Sequence, residues 1–232
     1  MPRSRLLFHW RSHECSLVAL TGQKAVLTRA ATASANDSAN VSYTAVNGQP
    51  LWDWYDLDSD GVYERPALQL GTNDRCYFDF LALPRSLTVW LDFIEAGSIS
   101  INNARVMQLG AAAGTAPHLL IRSNATNYLA THDNNDGSAV SATLAAAPTS
   151  GQRVRLRLGL NPDGSVLLGQ RIHTGTESVA GPSGVNTLAA AWSGTRLYLN
   201  SIDASNVGAI ALLEVKIAAD VRSADFMERA FA

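Results

Sequence analysis

Short segments in which apolar and polar residues alternate, cut at close intervals by Gly, Asn, Asp or Pro, place the strongest constraint on this chain. Leu87, Val89, Leu91 and Phe93 alternate with Thr88, Trp90 and Asp92, and Val154, Leu156 and Leu158 alternate with Arg153, Arg155 and Arg157. A period of two sends successive side chains to opposite faces of a strand, so each segment has one core-facing side and one that meets solvent or a partner. The segments "RVMQLG", "HLLIRS", "NYLATH", "SVLLGQRI", "TRLYLNS" and "GAIALLEVKIA" fit the same mould. Turn sequences such as Asp133-Asn134-Asn135-Asp136-Gly137 and Asn161-Pro162-Asp163-Gly164 separate them. In the last segment Ala211, Leu213, Val215 and Ile217 are expected on one face, opposite Ile210, Leu212, Glu214 and Lys216. Many short strands with such turns predict an all-β fold, an antiparallel jelly-roll sandwich. A helical period enters at the C-terminus, where Ser223 as N-cap and Phe226, Met227, Ala230 and Phe231 on one side predict a short helix.

Residues 1–85 read differently from residues 86–232. Aromatic islands there surround a polar stretch from Thr28 to Asn47 rich in Ala, Ser, Asn and Thr. The expectation is an extended N-terminal anchoring arm, followed by the sandwich over 86–232.

With 47% of its 232 residues apolar, the chain has ample material for a core. Charged residues make up 16%, the formal net charge is −2, and Lys24 and Lys216 are the two lysines. Such a balance offers no field to gather nucleic acid or anionic lipid, so neither is an expected partner. Arg11, His13 and Glu14 interrupt the apolar residues near the start before they reach signal-peptide or membrane-span length, which sets the expectation of a protein assembled in a cytoplasm. Cys15 and Cys76 read as buried thiols, with a single bridge between them left open.

The densest chemistry lies in "WDWYDLDSDGVYE", residues 52–64. Asp56, Asp58, Asp60 and Glu64 have the alternate spacing of calcium loops, with Gly61 at the bend, and four carboxylates this close repel one another without a cation. The alternatives are a structural calcium site and an ordinary hairpin turn. Trp10, Trp52, Trp54, Tyr55 and Trp90 are candidate partner-binding anchors, since large aromatics supply the desolvated contacts of interfaces; stacking on sugar rings is the other use. The Arg153, Arg155 and Arg157 row reads as a solvated face or as a dock for an acidic neighbour.

From about Ser86 onward the chain resembles the concanavalin A-like lectin/glucanase sandwich in its laminin-G-like versions. The resemblance rests on "SLTVWLDF", "GQRVRLRLGLNPDGSVLLGQ" and "RLYLNSIDASNVGAIALLEVKIAADVRSADFMERAF". The preceding part resembles a leader in virion structural proteins of tailed bacteriophages that carry such sandwiches, through Arg29-Ala30, Pro50 with Trp52-Asp53-Trp54, and Leu68-Gln69-Leu70 with Thr72-Asn73. It departs from that leader by its Asp-rich insert and by lacking an Arg before Thr72-Asn73. The resemblance implies a virion structural protein, in capsid decoration or a head or tail appendage, that adheres to other virion subunits and to copies of itself and contacts host-surface glycan.

Glycoside hydrolases of that fold carry Glu-x-Asp-x-x-Glu, two carboxylates flanking one bond. This chain has no such motif: Asp92 and Glu95 have odd spacing and fall on opposite faces, and Glu214 stands alone. His9, His13 and Cys15 lack a fourth ligand at metal-site spacing. The leading expectation is therefore a non-enzymatic virion protein. A carbohydrate-binding module and a glycoside hydrolase or lyase are the alternatives.

Overall fold

The computed structural model describes residues 6–12, 21–22, 28–30, 40–42, 52–55, 57, 65–70, 75–97, 102–110, 118–134, 139–144, 148–186, 188, 192, 194–200 and 209–219. Their strands run in chain order β1 (Leu6–Arg11), β2 (Thr21–Gly22), β3 (Thr28–Ala30), β4 (Asn40–Ser42), β5 (Trp52–Tyr55), β6 (Arg65–Leu70) and β7 (Arg75–Asp79). Then follow β8 (Leu87–Glu95), β9 (Asn102–Gly110), β10 (His118–Asn124), β11 (Tyr128–Asp133), β12 (Ala139–Thr143) and β13 (Arg153–Leu160). The last are β14 (Val166–Ile172), β15 (Ser178–Ala180), β16 (Arg196–Leu199) and β17 (Ile210–Ala218).

Two antiparallel sheets make a sandwich. The first has the order β15-β14-β13-β8-β17-β1-β2, with β6 also on β17 and β5 on β6; the second is β12-β11-β10-β9-β16-β7-β3-β4. Strands from before residue 85 therefore sit in both sheets. β1 pairs with β17, β6 with β17 and β7 with β16. Residue 85 does not divide the sheets: Phe8, Trp10, Leu68 and Leu70 alternate inward and join the same core cluster as the later strands. The predicted C-terminal helix from Ser223 lies outside the described residues.

The core lies between the sheets. Leu87, Val89, Leu91 and Phe93 of β8 and Val154, Leu156, Leu158 and Leu160 of β13 meet Leu109, Leu119, Ile121 and Tyr128 of the second sheet there. Phe8 stacks edge-on to Phe78 at 4.7 Å and to Phe80 at 5.0 Å, which ties β1 to the segment around β7. Burying one such side chain contributes about 1.5–3 kcal/mol. The β13–β14 turn closes at Gly164 with φ +78°, and a Cβ there would lie 1.7 Å from the Asn186 carbonyl oxygen, so this turn and the 181–186 segment lock together only with glycine.

β17 departs from strict alternation. Its register on β8 steps from Leu212 opposite Phe93 to Glu214 opposite Asp92, leaving Leu213 as the extra residue of a β-bulge. Ile210, Leu212, Val215 and Ile217 consequently face the core, while Ala211 and Leu213 join a separate cluster with Ala67 and Ile94. This corrects the face expected for Ala211, Leu213, Ile210 and Leu212. The bulge reverses the phase for half the strand and turns Glu214 and Lys216 to the outer side.

Candidate functional site: the charged outer face of the first sheet

Residues directly opposite on antiparallel strands share a face, so the register of the first sheet lays its outer side chains in rows. His9, Lys216, Trp90, Arg157 and Gly169 form one row, and Arg11, Glu214, Asp92, Arg155 and Arg171 the next. Gln69, Ala211, Ile94 and Arg153 form a third. Sequence alternation predicts a polar side here, but not that it is buried: Asp92 and Trp90 have no exposure and Glu214 has 1%.

Buried charges persist only when paired, and the two central carboxylates show how. Glu214 Oε1 accepts from His9 Nε2 at 2.5 Å and Arg11 Nε at 2.8 Å, with Lys216 Nζ at 2.9 Å. Arg65 approaches its other oxygen at 3.6 Å and donates to the Leu213 carbonyl at 3.2 Å. Asp92 takes a two-pronged contact from Arg153, Nε at 2.9 Å and Nη2 at 2.6 Å. At the next row Arg157 Nε donates to Glu177 at 2.9 Å. Gly169 makes room for that pair, since a Cβ would stand 1.9 Å from the Glu177 carboxylate oxygen. On this face the cations outnumber the carboxylates among the described residues.

Burial alone would raise the Glu214 carboxyl; the hydrogen bond from His9, the Lys216 charge and Arg11 outweigh it and hold the group at about 2. Lys216 moves the other way: its burial lowers the ammonium, and Glu214 restores only part of the loss. Asp92 and Glu214 are the carboxylate neighbours that strand spacing alone does not bring together. A proton donor for glycoside cleavage needs a raised carboxyl, and Glu214 is driven down. Glu95, on the opposite face as expected, is a buried carboxylate that accepts from the Tyr128 hydroxyl; burial and then Glu95 push that hydroxyl well above its ordinary value.

The expected anchors separate into three groups. Trp10 and Trp90 are both fully buried. Trp10 lies in the core beside Phe78, with ring centroids 6.0 Å apart, and Trp90 lies between Lys216 and Arg157 on the outer face. Neither presents a surface to a partner, which corrects the anchoring role expected of them; alternation does not reveal a face that the chain itself buries. Tyr55 is half-buried, accepts from Gln69 Nε2 at 2.5 Å, and packs with Leu57 against Ala67, Ile94, Ala211 and Leu213. Trp52 and Trp54 fall on β5, and their side chains lie outside the described residues. Asp56, Asp58, Asp60 and Glu64, the expected calcium ligands, also lie outside them; among the described residues no His, Cys, Asp or Glu cluster has the makings of a metal site.

Sequence reasoning missed His9, Arg11, Arg65, Glu214 and Lys216 as a group. The available signal was His9-x-Arg11 and Glu214-x-Lys216, charged pairs at strand spacing inside otherwise apolar segments. The pairing of β1 and of β6 with β17 unites them.

No protein-family model matches the chain, and no curated protein sequence does either. Solved structures do. The receptor-binding domain of botulinum neurotoxin type G superposes with a TM-score of 0.62 at 7% identity, covering 98% of this chain and 51% of that one. The botulinum neurotoxin DC binding domain in complex with rat synaptotagmin II gives 0.62 at 8%, covering 97% and 51%. The same domain in complex with SialylT gives 0.62 at 9%, covering 100% and 51%. The chain thus spans about half the length of these structures, and what it shares with them is the β-sandwich fold.

Proposed function

We propose that the chain is a non-catalytic adhesion subunit whose charged sheet face docks an acidic surface, and that its setting is the virion of a tailed phage or phage-like particle, beside other virion subunits and copies of itself. The observation that carries this reading is the state of the carboxylates. The neighbours Asp92 and Glu214 are committed to Arg153, His9, Arg11 and Lys216, and the face is left with positive charge in excess among the described residues. Arg155 and Arg171, half-buried and directly opposite each other, bring two guanidiniums to the open side of that network. Arg155 also donates to the His173 carbonyl at 2.7 Å, which fixes its guanidinium beside that of Arg171, and two adjacent guanidiniums suit an acidic partner. The binding-domain neighbours support adhesion as the class of activity, and the phage-like leader supports the virion as its place. The test is co-sedimentation of the chain with gradient-purified particles made from the genome that encodes it. Wild type is expected in the particle band, and a folded Arg155→Glu/Arg171→Glu variant at the top of the gradient. A wild-type chain absent from particles overturns the virion setting, and a double variant that still sediments overturns the docking face.

A second reading, favoured by the same arginine pair, is binding of a carboxylated host-surface glycan, as one neighbour's complex with SialylT illustrates. Two adjacent guanidiniums suit a sugar carboxylate. A glycan array with sialylated and neutral sugars tests it: signal confined to the acidic sugars and lost in Arg155→Glu supports it, and none removes it. Calcium at Asp56, Asp58, Asp60 and Glu64 is a further proposal, structural in role. Equal melting temperatures in calcium and in chelator would reduce that stretch to a turn.

A further inference from the structure

A sheet that ends in an open strand presents unpaired N–H and C=O groups, and chains that stay apart blunt such edges with charge, proline, bulges or brevity. The sandwich treats two of its edges differently. β15 has three residues and stops at Gly181-Pro182. β12 has five, keeps an unbroken register with β11 from Ala139 to Thr143, and among the described residues has no strand on its far side. Its sequence surroundings carry no blunting charge either: no Lys, Arg, Asp or Glu stands between Asp136 and Arg153.

The register fixes which groups point outward. The Leu144 N–H donates to the Tyr128 carbonyl at 3.0 Å, and those residues continue the β11–β12 register by one step. In an antiparallel ladder, bonded pairs alternate with unbonded ones. Ala142 and Val140 therefore exchange bonds with β11, while Ala139, Ser141 and Thr143 turn N–H and C=O toward the open edge. The same three residues have exposed side chains, all small and uncharged. Nothing on them holds a second strand away.

We propose that β12 pairs antiparallel with β12 of a second copy of this chain, about a twofold axis through Ser141, so that the second sheets of two subunits join edge to edge. Ala139 then meets the partner's Thr143, and Ser141 meets its own counterpart, giving about six backbone hydrogen bonds. Identical edges match automatically under twofold symmetry, whereas an uncharged row of Ala, Ser and Thr offers a foreign partner little to select. The interface does not involve the charged face and holds whether or not the chain belongs to a virion. Five residues a side bury less than a standard interface, so the dimer is expected to dissociate at about micromolar concentration.

Light scattering over a concentration series tests this on wild type and on Ser141→Lys, whose exposed side chain brings two ammonium groups together at the axis. Wild type is expected to rise to the mass of two chains, and the lysine variant to stay at one with an unchanged melting temperature. In Ser141→Cys the two sulfurs belong to a bonded cross-strand pair with Cα atoms about 5.5 Å apart, within disulfide reach. Mild oxidation is then expected to give a covalent dimer that wild type, with Cys15 and Cys76 alone, does not form. A wild type that stays monomeric, or a dimer that survives Ser141→Lys, overturns the proposal. If the lysine variant does not fold, the cysteine arm decides alone: a covalent dimer supports the pairing, and its absence overturns it.

Discussion

The two faces of the first sheet come from alternate residues of the same strands and are both buried, yet they are held by different physics. On the inner face Leu91 and Phe93 of β8 meet Val154 and Leu156 of β13 in apolar contact. On the outer face the residues between them bring charge into enclosure, complete at Asp92 and partial at Arg153 and Arg155. Apolar burial stabilises in proportion to area and tolerates small shifts. Paired charge gives back much of its Coulomb energy in desolvation, and its value lies in geometry. The inner face thus accounts for the sandwich being folded, and the outer face for one side of it having a defined charge pattern.

The largest expected effect falls on the inner face. Phe93→Ala removes a fully buried ring that packs edge-on to Tyr128 at 6.1 Å, and should cost about 3–5 kcal/mol in urea unfolding. A cost below about 1 kcal/mol would mean that the core can collapse around the gap, and would break the contrast between the faces.

Glu214→Gln comes next, at about 3 kcal/mol, because Lys216 and Arg65 lose the charge that justifies their burial. The same group sets a pH dependence. Its folded value of about 2 lies below the ordinary 4.5, so the folded state releases the proton more readily. The stability it contributes is complete above about pH 5 and disappears as pH falls through about 2. Unfolding curves of wild type and Glu214→Gln should therefore converge on acidification over that window. Curves that stay parallel would show that the variant's cost is steric. Gly169→Ala is smaller, about 1–2 kcal/mol: its Cβ displaces the Glu177 carboxylate from Arg157, but the displaced group is the end of a flexible side chain.

Much of the sandwich was legible in the sequence because its strands alternate faithfully. β8 and β13 turn Leu87, Val89 and Val154 inward as their period requires. β17 misled at Leu213, since a bulge changes no residue type and is fixed by pairing to β8. The role of residues before 85 was obscured for a related reason: Phe8-x-Trp10 is too short to announce a strand, and its neighbours, β17 beside it and Phe78 across the core, are remote in sequence. The arginine row of β13 was legible as a row. That its neighbours Asp92, Glu214 and Lys216 complete a buried network was not, because their sequence separations are decided by the order β13-β8-β17-β1.

Lys216 sharpens the contrast most finely. It shares Oε1 of Glu214 with His9 and Arg11, and its own ammonium is disfavoured by burial despite that contact. Replacing it by methionine removes a desolvated charge, keeps the aliphatic stem packed, and leaves Glu214 with two donors. Lys216→Met should accordingly shift stability by less than about 1 kcal/mol, far below the cost of Glu214→Gln across the same contact. The pH effect has the same sign as that of Glu214 but falls in an alkaline window, because both folded values are depressed. A lysine whose folded value is depressed costs stability while protonated, so the wild type should gain on Lys216→Met as pH rises toward the ordinary lysine range, where the ammonium discharges. Equal losses from the two substitutions would mean that the ion pair acts as a unit and that the outer face, like the inner one, is held chiefly by its own contacts. Unequal losses would make Glu214 the hub and the cations around it replaceable, as expected of a face whose positive charge serves a partner.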